Sequence, residues 1–223
     1  MLLLRAATMA IAVVLAAGPS AGEDNSTPKS IEIPTTTQVH KGDQWSYDYT
    51  DETTGQPSAT ITYTITELTD SDVTTRITRL GGGAPFTAIF DRNWNTKEDN
   101  LFLNKPNDGL GIELPLSVGK EWKITGSNKN ISVGTVFKHT GKSKVVQQEK
   151  ITNQAGTYDT FKISTDIVWQ TQNSSAKKTE IHAETWYAPE INRIVKRTYV
   201  SKYAGHVNAQ FSMELVDFSS ASN

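Results

Sequence analysis

Apolar and polar residues alternate along most of this chain. In DQWSYDYT, Trp45, Tyr47 and Tyr49 share one face. In ATITYTITEL, Ala59, Ile61, Tyr63 and Ile65 face one way, and Thr60, Thr62, Thr64 and Thr66 face the other. A period of two marks a half-buried strand. TTGQP between the two runs predicts a turn, and so a hairpin. SDVTTRITRL predicts a third strand. GGGAP breaks the chain, and FTAIFD predicts a fourth.

From Asn93 to Gly119 the pattern is irregular and rich in turn residues. EWKIT then sets Trp122 and Ile124 together. SVGTVFKHTGKSKVVQQEKIT is one long β-leaning run, expected to bend or turn near Gly141. NQAGTYD predicts a turn. The clearest strand follows, with Phe161, Ile163, Ile167 and Trp169 on one face and Lys162, Ser164 and Asp166 on the other. TQNSSAKK reads as a polar loop. TEIHAETWY, RIVKRTYVSKY and NAQFSMELVDF complete the pattern, and Phe211, Met213 and Leu215 share a side in the last. No window past the start sustains a helical period. About ten to eleven short strands predict an all-β fold. Its expected form is an antiparallel curved sheet or half-barrel, with a sandwich as the alternative.

The first residues read differently. MLLLRAATMAIAVVLAAGPSAG holds one basic residue, Arg5, then an apolar run from Ala6 to Ala17, then Ser20 and Gly22 ahead of Glu23. That is a signal-peptide pattern, and the run is too short to span a bilayer. The expected organisation is a signal peptide over 1–22, a flexible leader over 23–39, one β domain over 40–218 and a flexible tail over 219–223. The chain carries a formal net charge of −2, one unit more negative once Arg5 leaves. So mild a charge does not point to nucleic acid or an anionic membrane surface. Cysteine is absent, which excludes disulfides and a lipid-modified N-terminal Cys. Export without cysteine predicts a bacterial envelope protein, periplasmic or extracellular. Glycosylation triplets at Asn25, Asn130 and Asn173 matter only in a host that uses them.

Candidate chemistry is sparse. Glu180, His182 and Glu184 in EIHAE lie at i, i+2 and i+4, so a strand turns all three one way. One imidazole and two carboxylates make a weak candidate for a divalent cation. The competing reading is an exposed face whose charges pair across strands. DRNWNTKEDNLF places Asp91, Asn93 and Asn95 like the start of a calcium loop. It has Thr96 where that loop needs Gly, and Phe102 where it needs Glu, so an Asx-rich turn is expected. No nucleophile motif, zinc-protease motif or phosphate loop occurs. Arg193, Lys196, Arg197 and Lys202 are expected on a solvated strand face. The remaining candidates are rings. Trp45, Tyr47, Tyr63, Trp169, Trp186 and Tyr187 are the expected ligand-binding residues. Trp186 and Tyr187 point to opposite faces, one into the core and one over the corner at Pro189.

The order GDQWSYDY, LPLSVGKEW, AGTYDTFKI, TWYAPEINRIVKR, MELVDF resembles the TapB-like, DUF3108-like group of bacterial exported domains. The resemblance runs from Lys41 to Phe218, and AGTYDTFKI and WYAPEINRIVKR are its most specific pieces. The group's usual pattern has Gly near EIN. Glu190 and Asn192 stand there instead, so a turn of different detail is expected. The resemblance implies a build like the half-barrels of periplasmic lipoprotein carriers, and it brings no activity and no catalytic residue. The function expected is a non-catalytic envelope module with no cofactor, its concave face holding an apolar or amphipathic, lipid-like ligand. One alternative is an assembly protein that pairs through a sheet edge. A lower one is a hydrolase using carboxylates or a metal at EIHAE.

Overall fold

A computed structural model describes residues 38–171 and 178–221. The signal peptide, most of the leader, most of the polar loop after Thr171, and Asn25 and Asn173 lie outside the described residues. Twelve antiparallel strands make up the fold. They are β1 (Gln44–Asp51), β2 (Gln56–Leu68), β3 (Asp72–Arg79), β4 (Phe86–Asp91), β5 (Thr96–Glu98) and β6 (Phe102–Lys105). There follow β7 (Glu121–Asn130), β8 (Val136–Asn153), β9 (Gly156–Thr171), β10 (Lys178–Ala188), β11 (Arg193–Tyr203) and β12 (His206–Ser219). Each strand pairs with its neighbours in sequence, and β12 returns to pair with β1. The sheet therefore closes into a barrel.

Closure corrects the edge-pairing alternative. Every described strand has a neighbour on both sides, and closure removes the free edges that strand addition needs. The strand number also exceeds the expected ten to eleven. The addition lies in the irregular stretch, where β5 and β6 are three and four residues long, too short for alternation to show. β8 runs through Gly141 without a turn. It bends instead where its register against β9 slips, between Val145 and Gln147. Gly141 has a different duty: a Cβ there would lie 2.2 Å from the carbonyl oxygen of Asp166 on β9.

Alternation sorts the side chains as the period of two requires. Trp45, Ile65, Val73, Val145, Ile163, Tyr187 and Leu215 point inward and are almost fully buried. Outward positions carry ion pairs such as Lys144–Glu121, Lys162–Glu184 and Lys196–Glu214. A barrel seated in lipid carries an apolar outer band; the apolar load here is inside. Ile124, Ile167 and Ile181 form a second, smaller cluster with Trp122, Trp169 and Tyr199 around it.

A buried polar chain ties β6, β7 and β8 together. Asn128 Nδ2 donates to Asn104 Oδ1, and His139 Nδ1 donates to Asn128 Oδ1. This leaves His139 Nε2 as the bare acceptor of a neutral ring, and that atom has no partner among the described residues. Burial lowers the His139 pKa below its ordinary 6.5. The unfolded chain therefore takes up this proton at higher pH than the folded one, and stability is lost as pH falls below about 6.5. Urea unfolding at pH 7.5 and 5.5 should show this loss, with a slope of at most about 1.4 kcal/mol per pH unit for one proton. His139→Gln should flatten it; an unchanged slope would show that other groups cause it.

Candidate functional site

The corner between β10 and β11 organises the interior. Pro189 cannot donate to a ladder, and β10 ends at Ala188. Pro189–Ile191 form one 3-10 turn, and Asn192 closes it in the left-handed region, φ 50° and ψ 46°. Asparagine tolerates that conformation better than other non-glycine residues. Its side chain also supplies an acceptor. Asn192 Oδ1 receives Trp94 Nε1–H at 3.0 Å and the Tyr187 hydroxyl at 2.8 Å. Trp186 lies on the other face, as expected, where Lys162 and Lys196 cover its ring and Glu149 accepts its Nε1–H.

The same corner sends Arg193 into the lumen. Its guanidinium carbon sits 3.4 Å from the ring centre of Trp45 and 3.5 Å from that of Trp94. The two rings meet edge to face. Arg193 is only 5% exposed, and its Nε has no hydrogen-bond partner among the described residues. Four residues on, Arg197 also points inward. It donates to Thr185 Oγ1 and, at 2.6 Å, to the carbonyl of Leu110, pinning the loop between β6 and β7. Among the described residues neither guanidinium reaches a carboxylate within ion-pair distance. This corrects the solvated-face reading for Arg193 and Arg197, whereas Lys196 and Lys202 do face outward. Strand parity sets Arg197 and Tyr199 apart from Lys196 and Lys202, whereas Arg193 lies past the register shift in β11 and is shown inward by its contacts with Trp45 and Trp94.

A chamber of about 210 Å³ opens beside these arginines. Tyr47, Tyr49, Tyr63, Phe86 and Phe90 supply most of its rings, with Ile77, Ala88 and Met213 between them. Tyr47 donates to the Ile194 carbonyl, and the Tyr49 and Tyr63 hydroxyls bond to each other at 3.1 Å. Burial pushes Tyr47 up to about 12 and raises Tyr49 and Tyr63 as well, so all three stay protonated. Burial also lowers Arg193 to about 10, against the raising influence of Tyr47, Tyr63 and Asp43. It remains a cation at neutral pH.

Of the six expected ligand-binding rings, Tyr47 and Tyr63 line this chamber and Trp45 backs it through Arg193. Tyr187 supports the corner. Trp186 is buried on the opposite face of β10 beneath Lys162 and Lys196, and Trp169 packs with Phe102 and Phe137 beside the second cluster. Tyr49, Phe90, Trp94 and both arginines complete the site without having been singled out from sequence.

A larger recess of about 720 Å³ lies over the outer faces of β7 to β11, with Lys123, Lys142, Asp166, His182 and Lys202 on its walls. The EIHAE side chains belong to this surface. Glu180 pairs with Lys178, His182 with Asp166, and Glu184 with Lys162. Among the described residues no group of three metal-ligating side chains converges. The Asx-rich turn forms as expected: Asp91 Oδ1 accepts the Asn93 and Asn95 amides, and Asn107 Nδ2 donates to Oδ2.

Residues 109–203 match the family model described as DUF3108-like. The match covers less than half of the chain. It contains β7 to β11, and so both arginines and the corner that places them. A protein designated a lipoprotein from Parabacteroides distasonis ATCC 8503 superposes with a TM-score of 0.53 at 14% identity, covering 82% of this chain and 98% of that one. A protein designated exported, with a YmcC-like fold, from Bacteroides fragilis NCTC 9343 gives 0.50 at 12% identity, with the same coverage. The YmcC-like fold is therefore shared. No curated protein matches the chain.

Proposed function

We propose that the protein is a non-catalytic module of the bacterial cell envelope that holds an apolar or amphipathic ligand inside its barrel. One observation carries this reading: the ring-lined chamber next to a buried, uncommitted cation. Protein interiors ordinarily pack solid, and a ring-lined pocket with a few convergent polar groups is the usual form of a ligand site. The exported fold relatives and the signal-like N-terminal sequence support the envelope location. At about 210 Å³ the chamber is smaller than the roughly 300–1,000 Å³ of most ligand pockets. It suits a short chain or a single ring.

The test is a calorimetric titration with trans-cinnamic acid, a single ring on a short acid chain that matches the chamber in size. Saturable binding at one site is expected. Ala88 is buried in the chamber wall, so Ala88→Phe should fill the space and abolish the signal. Absence of saturable binding, or binding unaffected by Ala88→Phe in a folded variant, would sink the proposal.

A further inference from the structure

Resting on that reading, we infer that the ligand is a small amphipathic monocarboxylate, whose head meets Arg193 and whose apolar body lies against Tyr63, Ile77, Phe86 and Phe90. A desolvated guanidinium is costly unless something answers its charge. Trp45 and Trp94 answer part of it through their ring faces. They leave Nε–H unsatisfied at a residue that lines the chamber.

The acids nearby are committed elsewhere. Asp43 acts on Arg193 only through space, because its oxygens hold the His40 amide, the Ser220 hydroxyl and the Ala221 amide. Asp99, on the chamber wall, accepts the amides of Leu101 and Phe102. Asp108 accepts those of Thr96 and Leu110. Arg197 is occupied by Thr185 and Leu110. One uncommitted guanidinium matches one negative charge, and a planar carboxylate fits its fork.

The tyrosines add a donor. Within the Tyr49–Tyr63 pair one hydroxyl donates to the other, which leaves one O–H over. Both phenols are held protonated, so they do not repel an anion. The wall facing Arg193 is mostly aromatic and aliphatic, with Thr96, Asp99 and Asn100 confined to the β5–β6 side.

The experiment compares trans-cinnamic acid with its methyl ester, which keeps the ring and removes the charge. The acid should bind more than ten-fold tighter than the ester. Arg193→Met should bring the acid down to the affinity of the ester, with the fold checked by near-UV circular dichroism. Equal binding of acid and ester to the wild type would overturn the inference and leave the proposed ligand site standing. Wild-type affinity for the acid in folded Arg193→Met would likewise overturn it. No binding of either probe would remove the proposed function, and the inference with it. The comparison on the wild type decides the question even where the variant does not fold.

Discussion

Asn192→Ala should destabilise the protein by about 4 kcal/mol. The estimate combines two effects. Alanine in the left-handed region costs roughly 1–2 kcal/mol. Removal of Oδ1 also strips Trp94 Nε1–H and the Tyr187 hydroxyl of their acceptor in the interior, at about 1–3 kcal/mol for each buried donor left bare. The total is a large share of the 5–15 kcal/mol typical of a folded domain. Companion variants separate the two effects. Asn192→Gly restores the backbone and should recover about 1 kcal/mol. Asn192→Asp keeps an acceptor and a residue at ease in this conformation, and should be the mildest. Urea midpoints give the ranking. If Ala, Gly and Asp are equally harmless, the corner does not hold the interior together.

Gly141→Ala should be comparably severe for a different reason. Its backbone is ordinary, and the obstacle is space. The added Cβ would meet the Asp166 carbonyl at 2.2 Å and the Ile167 Cα at 2.9 Å. Both belong to the backbone of the paired strand and cannot swing aside. Overpacking usually costs about 1–3 kcal/mol, and a collision with rigid backbone belongs at or above the top of that range. The exposed neighbour Thr140 serves as control, because Thr140→Ala should change stability by no more than about 0.5 kcal/mol. Thermal unfolding of the two variants side by side makes the measurement. An alanine at 141 that melts with the wild type would mean that β8 and β9 can separate freely there.

The two variants illustrate which parts of this molecule were legible in its sequence. Alternation at Trp45–Tyr49, Ala59–Ile65 and Phe161–Trp169 places strands and faces, because a residue's side of a sheet depends only on its parity. Closure is not written that way. It depends on β12 meeting β1, a contact between chain ends that no local pattern encodes. β5 and β6 escape because three residues carry no period. The site was half legible. Tyr47 and Tyr63 follow from parity, and the same parity divides Arg197 from Lys196 and Lys202, while Arg193 lies past a register shift that parity does not cross. The usual preference of charge for water argues against reading it so. An inward arginine breaks the local rule, and such breaks tend to mark function. Trp94 was illegible for another reason. It sits at positive φ in a turn, where neither strand nor helix periodicity applies, and only the folded chain brings it to Arg193.

The stitching of the barrel is uneven. β8 and β9 are laced together from Phe137 and Thr171 down to Asn153 and Gly156, whereas β5 and β6 meet through the single pair Glu98 and Leu103. Thr96, Asp99 and Asn100, from that thin seam, also border the chamber. Local opening concentrates where few backbone bonds resist it. On the proposed reading a guest enters where the cylinder parts at one rung, while the long laced wall of β8 and β9 keeps it standing.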